Sequence, residues 1–231
     1  MTSNSRPVSR RERMRAQTLQ EIEDTSFAII DADGVHALSI AALARSMAMS
    51  APAVYRYFPS RDALVAHLTT LCYAQLTATM REATGNARRP PRTRVRLLVS
   101  AYRDWALRHR WRYTMLFGTW SGDTPPGQDT TRTPLHEAMA LLIDLMAGAQ
   151  QLAPADSTSG DRALDGQLRL WATAQERPGT TPRAARAAIL LWARVHGIVS
   201  LELTGIFSNH TIEAQRLIDM EIDSAIQSLT P

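Results

Sequence analysis

Apolar residues recur along this chain at three- and four-residue intervals and almost nowhere in strict alternation, which is the periodicity of helices rather than strands. Leu19, Ile22, Ser26 and Ile29 form one such stripe. Ser9 and Glu12 in "SRRE" have capping-box spacing ahead of it, and Gly34 stands where a left-handed cap would end the helix. Ile40, Leu43 and Met47 mark a short helix opened by Ser39. Ser50 can cap another to about Phe58, with Pro52 tolerated in its first turn. Ser60 opens a long helix that runs to Thr84-Gly85. After the polar break "NARRPPR" (86–92), Val95, Leu98, Val99, Tyr102 and Trp105 repeat at helical spacing. Two loops, "SGDTPPGQDTT" (121–131) and "APADSTSGD" (153–161), flank a helix that begins at Thr133-Pro134 and carries Leu135, Met139, Leu142 and Met146. Thr181-Pro182 starts the longest helix, to about Phe207, and a last one spans Thr211 to about Leu229. The pattern predicts an all-α fold of about ten helices.

The penultimate helix is apolar on nearly every face between Ala184 and Leu203. Such a helix must be covered all round. The chain's own fold can cover one side, and a second subunit can cover the other. The final helix has a narrower stripe at Ala214, Leu217, Ile218, Ile222, Ala225 and Leu229, opposite Glu213, Asp219, Glu221 and Asp223. Pairing of both helices with their symmetry mates would build an intermolecular four-helix bundle. It would be a homodimer, with Trp192, Gly197, Leu201, Ile218 and Ile222 at the contact. A central core helix in a monomer is the alternative.

Composition adds constraints. Hydrophobic residues make up 45% of the 231 and charged residues 21%, enough for a core in an ordinary soluble protein. No uninterrupted apolar run reaches about 18 residues, and the charged start lacks a following apolar block of the secretory kind. Cys72 is the sole cysteine, so no intrachain disulfide can form, and a reducing cytoplasm is expected. All 26 basic side chains are arginine, and they are unevenly spread. Residues 1–15 hold five arginines against Glu12, and 81–112 hold ten against Glu82 and Asp104. From 121 onward, thirteen acids face eight arginines. A basic first part predicts a polyanion partner there, with solvated helix faces as the plain alternative. Residues 81–112 leave three roles open: a pocket entrance for an anion, an extension of a polyanion-facing surface, or a solvated face. His36, His67, His109, His136, His196 and His210 show no metal-ligand spacing, and GxSxG, Walker and GxGxxG motifs are absent. No cofactor, no metal and no catalytic residue is expected.

The segment "SIAALARSMAMSAPAVYRYF" (39–58) divides into helix, a short turn at Ala48-Met49, and helix, which is helix-turn-helix spacing. Small residues at the start of the second helix let its backbone approach a groove floor. Ser39 and Ser50 sit at helix starts that can hold a phosphate. Tyr55 and Tyr57 offer hydroxyls, and Arg56 and Arg61 offer charge to a sugar-phosphate backbone. Val54 and Phe58, at i and i+4, are the inward seam. The arginines from Arg6 to Arg15, Arg10 and Arg13 among them, would form a basic arm that follows phosphates or enters a flanking minor groove.

The whole stretch "GVHALSIAALARSMAMSAPAVYRYFPSRDALV" resembles the DNA-binding signature of the TetR family of transcriptional regulators. Ser39, Leu43-Ala44, Ser50, Tyr55-Arg56-Tyr57-Phe58 and Arg61-Asp62-Ala63-Leu64 carry the match, over roughly residues 10–70. The resemblance implies a domain over 1–62 that reads double-stranded DNA at a palindromic operator. In it Ser39, Tyr55, Tyr57 and Arg61 would meet phosphates, while Ala51, Ala53 and Arg56 face bases. It implies a ligand-binding and dimerisation domain over 63–231, joined through the helix at about 61–84. One departure is Ala48, where the family's turn usually has glycine. "LLWARVHGIVSLELTGIF", with Trp192, His196-Gly197 and Ser200-Leu201-Glu202, resembles a C-terminal subtype named for its Trp-His-Gly signature.

By this resemblance a small-molecule effector would sit inside the second domain, tilt the connecting helix and release a repressor from DNA. Candidate walls are Tyr102, Trp105, Met115, Phe117, Trp120, Met139, Ile143, Met146, Trp171, Trp192 and His196. Trp120, Met146 and Trp171, which flank loops, are favoured over plain core residues. The set has few acids, which points to an uncharged aromatic or lipid-like ligand. A helical DNA-binding protein with no effector pocket, and a small-molecule enzyme on a helical scaffold, are the competing readings.

Overall fold

The computed structural model describes residues 9–118, 134–150 and 161–229. Among them are ten α-helices, two 3-10 turns and no strand. The helices fall into two units, each described by itself. Residues 9–72 and 109–118 form the first, and residues 73–108, 134–150 and 161–229 the second.

The first unit begins with α1 (Arg10–Asp33). Ser9 caps it reciprocally: the Glu12 amide donates to Ser9 Oγ, and the Ser9 amide to Glu12 Oε2 at 2.7 Å. That backbone bond holds the Glu12 carboxyl below the usual carboxylate range. α1 ends because Gly34 turns to φ 82°, and a Cβ there would come within 3.2 Å of the Trp111 ring. A 3-10 turn (Val35–Ala37) leads to α2 (Ile40–Ser46), whose cap is Ser39 Oγ accepting from the Ala42 amide. α3 (Ala51–Tyr55) is a single short helix, and α4 (Arg61–Thr84) follows with Ser60 Oγ accepting from the Ala63 amide. Ile22, Ile30, Leu38, Leu43, Val54, Leu64 and Leu68 are wholly buried and form the core. The periodicity of α1 is as expected, except that Ile30 rather than Ile29 completes the inward stripe.

α6 (Arg110–Phe117) also belongs to this unit. Arg112 binds both oxygens of Asp31 and lies over the Phe27 ring, 4.2 Å from its centroid, so α6 is fastened to α1. The pattern of apolar positions gave no warning of this return.

The second unit takes the last part of α4 together with α5 (Pro91–Arg108), α7 (Pro134–Gln150), α8 (Arg162–Ala174), α9 (Pro182–Leu203) and α10 (Ala214–Gln227). α9 is the central element, touching α5, α7, α8 and α10. Thr181 caps it and Pro182 occupies its first turn. By length and mean hydropathy α9 could cross a membrane, although no uninterrupted apolar run suggested it. Its Ala184, Ala185, Ala188, Leu191, Val195 and Val199 are instead packed against neighbouring helices. α10 begins at Ala214, later than Thr211, because Thr211 takes a left-handed conformation.

Candidate nucleic-acid interface

α2 and α3 pack together and cross through a tight turn. The Met49 amide reaches back to the Ala44 carbonyl at 2.9 Å and the Ala48 amide to Arg45 at 3.2 Å, a left-handed helix ending. Ala48 sits at its tip with φ 52°. The turn therefore keeps the backbone that glycine usually supplies, and the alanine is strained by about 1–2 kcal/mol. The geometry of the motif is preserved at that cost.

Val54 and Phe58 are buried, which confirms the seam that orients α3. Their burial leaves Tyr55 half-exposed and Arg56 exposed on the outward side. Ala51, Ala53 and Tyr57 are partly buried around them, and Ser50 is exposed. Ser50 stands at the N-cap position but makes no side-chain capping bond, unlike Ser39, whose Oγ is engaged by Ala42.

Two basic side chains take positions that the sequence alone did not disclose. Arg61 was expected to meet phosphate, yet its Nε donates to the Leu38 carbonyl at 2.7 Å and its Nη2 to Val35 at 2.8 Å. It ties the start of α4 to the turn before α2, so its first role is structural. Arg15 lies over the Tyr57 ring, 5.3 Å from the centroid, and so adds a cation beside the recognition helix. Arg10 and Arg13 are exposed, but they belong to the first turns of α1. A helix cannot thread a minor groove as an extended arm does, so that part of the expectation is withdrawn for residues 10–15. Arg6 lies outside the described residues.

Four arginines of the basic stretch 81–112 are paired with acids of the second unit. Arg92 and Arg96 of α5 bind Asp223 and Asp219 of α10. Arg103 binds Glu202 of α9 and donates to Gln215, and Arg81 binds Glu137 of α7. Arg112 belongs to the first unit, where Asp31 holds it.

The residues expected to line an effector pocket do not form one cluster. Met115 is buried and Phe117 packs on Tyr113 in the first unit. Trp171 packs against Leu168, Ala172 and Ala185 between α8 and α9. Trp105, Met139, Ile143 and Met146 are buried core side chains of the second unit, and Trp120 lies outside the described residues. Tyr102, Trp192 and His196 do come together. The Tyr102 hydroxyl is 2.8 Å from His196 Nδ1, its ring is 4.9 Å from that of Trp192, and Trp192 stacks on His196. Burial pushes the His196 pKa down. Beside them is an apolar crevice of only about 10 Å³, walled also by Leu98, Val99, Leu142 and Leu191, enough for about one water. Leu98 and Val99 stand four and three residues before Tyr102 on α5, a periodicity that could have found them, whereas Leu142 comes from α7 and Leu191 adjoins Trp192 on α9.

Of the residues expected at a dimer contact, Ile218 and Ile222 are each 1% exposed within the single chain. They have no area left to offer a partner, and Trp192 is turned onto Tyr102. Gly197 and Leu201 remain on the outward face of α9. Among the described residues, no group of three or more His, Cys, Asp or Glu could hold a metal ion.

Comparison with known proteins agrees with this geometry. Residues 22–68 match the profile "Bacterial regulatory proteins, tetR family", and residues 95–225 match "Tetracyclin repressor-like, C-terminal domain". The HTH-type transcriptional regulator Rv1816 of Mycobacterium tuberculosis is 27% identical over 182 residues, 74% of each chain. A crystal structure of SCO4313, described as a regulatory protein, superposes with a TM-score of 0.77 at 32% identity, covering 95% of this chain and all of the other. A transcriptional regulator from Pseudomonas aeruginosa PAO1 shares the fold at 15% identity, with a TM-score of 0.64 over 93% and 91% of the two chains. The chain belongs to the TetR family of bacterial regulatory proteins, and it is a helix-turn-helix, DNA-binding transcriptional regulator.

Proposed function

We propose that the protein is a dimeric repressor, released from a palindromic operator by a small, largely apolar molecule. The observation that carries the DNA half is the division of α3 and the turn that follows it. Val54 and Phe58 anchor it inward, while Tyr55 and Arg56 stand outward. Arg56 would read guanine, discriminating by about 1–3 kcal/mol, with Ala51 and Ala53 leaving room for close approach to base edges. Ser39, Ser50, Tyr55 and Tyr57 would hold phosphates, with Arg10, Arg13 and Arg15 adding charge. Two copies would set recognition helices about 34 Å apart, on one face of the duplex.

The outward face of α9 supports the dimer. Gly197 lies in mid-helix, where a glycine is costly, and a Cβ there would meet nothing within 4 Å. No packing among the described residues explains it, whereas close approach of a second helix would. Leu190 and Leu201 of α9, each 43% exposed, give that face apolar area.

For the effector half, ligand entry at the crevice would have to part Tyr102 of α5 from Trp192 and His196 of α9. α4 is one unbroken helix shared by both units, and a coupling of about 1–3 kcal/mol through it would make a useful switch. The tightness of the crevice favours a second reading, a DNA-binding protein without an effector there. Selection of bound DNA from a random pool, followed by a screen for apolar compounds that release it, tests both readings. Recovery of a palindrome bound by the wild type and about 10–100-fold more weakly by Arg56→Ala upholds the DNA reading. Failure to bind any palindrome at low salt ends it. An operator found without any releasing compound leaves the effector-free reading.

A further inference from the structure

Residues 34–38 form the corner between α1 and α2, and two helices from later in the chain take hold of it. At the start of α4, Arg61 donates to the carbonyls of Val35 and Leu38, at 2.8 and 2.7 Å. From α6 comes Trp111, whose ring covers Gly34 so closely that a Cβ there would stand 3.2 Å from it. Gly34 is buried and takes φ 82°, so the corner has neither the room nor the backbone for another residue. α6 accordingly touches both α1 and the 3-10 turn.

The Trp111 ring does not serve to fill a core. It stays 38% exposed, with the Arg110 guanidinium 5.7 Å from its centroid. What fixes its place is the next residue. Arg112 is 13% exposed and grips Asp31, three residues before Gly34, through Nε at 2.9 Å and through Nη2. Its guanidinium also lies over the Phe27 ring, one helical turn earlier on α1. A bidentate pair combined with a stacked ring fixes orientation as well as distance. α6 is thus registered on the last two turns of α1, and Trp111 is set on the point where the chain leaves that helix.

Beyond the corner the chain runs straight into the helix-turn-helix. Ser39, next after Leu38, caps α2, and α2 packs on α3 through the left-handed turn at Ala48. A shift of the corner is therefore passed to α3 and the turn after it, where Tyr55 and Arg56 stand outward. Binding groups of that kind tolerate a displacement of only about 0.5 Å. We infer that Trp111 and Arg112 of α6 are positioning residues for the reading of sequence: they set the angle of α2 and α3 on α1 without touching DNA. The inference rests on the reading of α3 as the base-contacting helix.

The test uses the full chain, a palindromic duplex recovered by the wild type from a random pool, and a scrambled duplex of the same length. Binding is followed by fluorescence anisotropy across a salt series, at a temperature where circular dichroism shows every variant folded. Trp111→Ala and Arg112→Gln should each weaken binding to the palindrome by about 2–30-fold, the range for residues that act without contacting the ligand. Both should bind the scrambled duplex as the wild type does, with an unchanged salt slope, because no phosphate contact is lost. Trp111→Phe, which keeps a ring over Gly34, should restore most of the affinity for the palindrome. A wild type that prefers no palindrome ends the reading of α3 and this inference with it. Where the wild type does prefer one, folded variants that bind it normally overturn the inference alone. A slope reduced by about one, or equal weakening on both duplexes, also overturns it, since either marks a direct phosphate contact.

Discussion

Arg61 and Arg56 stand five residues apart and look alike in the sequence, yet their surroundings divide them. Arg61 spends two donors on the carbonyls of Val35 and Leu38, so Arg61→Met should lower stability by about 1–2 kcal/mol in urea denaturation. Were Arg61 a phosphate contact alone, the same change would leave stability intact and reduce the salt slope of DNA binding by about one. Its inward turn was illegible in the sequence because the acceptors lie 23 and 26 residues away. The Ser9–Glu12 capping box and the Val54–Phe58 seam were legible because each is settled within one turn of helix. Ala48 was legible as an anomaly, and the structure shows its left-handed backbone retained. Ala48→Gly should relieve about 1–2 kcal/mol of strain and return about 0.4–1 kcal/mol through a more flexible unfolded chain. A net gain in urea midpoint is expected, and a loss would mean that the turn is not left-handed in solution.

At the scale of helices, periodicity disclosed which faces are apolar without disclosing what covers them. Ile218 and Ile222 were assigned to a partner on their spacing, but α10 buries that stripe within its own unit. The face proposed for a partner is the outward one of α9, where Gly197 has open space and Leu190 and Leu201 are exposed. Gly197→Leu should therefore keep helical content by circular dichroism yet convert the proposed dimer to monomer in sedimentation, whereas Ile218→Ala should cost about 2–5 kcal/mol of protomer stability. A Gly197→Leu protein that stays dimeric would move the interface elsewhere. α6 escaped notice because its partner, Asp31, is 81 residues away from Arg112. The α5–α9 contact also carries a titration. Burial holds the His196 imidazole neutral by lowering its pKa, so the unfolded chain takes up that proton first as pH falls. The stability tied to this group is present above about pH 6.5 and is lost as pH drops below it. Urea midpoints should fall between about pH 7.5 and 5.5, a window that spans the ordinary histidine value, and the fall should be smaller in His196→Asn. An equal fall in both proteins would exclude His196 as its source.

For the whole molecule, the uneven charge read from the sequence has a different meaning from the one it first suggests. Ten arginines between 81 and 112 look like a polyanion surface, but several are taken up by Asp219, Asp223, Glu202 and Glu137 of the same unit. Charge counted along the chain cannot show such pairing, because it joins residues far apart in sequence. The helix-turn-helix, by contrast, was legible almost whole, since its elements are consecutive and each carries its own cap or turn. One further feature has a practical reach. Cys72 of α4 is fully buried, and desolvation pushes its thiol up to about 12, so almost no thiolate forms at neutral pH to react with maleimides. A cysteine placed at an exposed position on α1 or α10 would then be the one tagged by a fluorophore or nitroxide in the native chain. Distances between tags on the two copies of the proposed dimer become measurable without first removing the natural thiol.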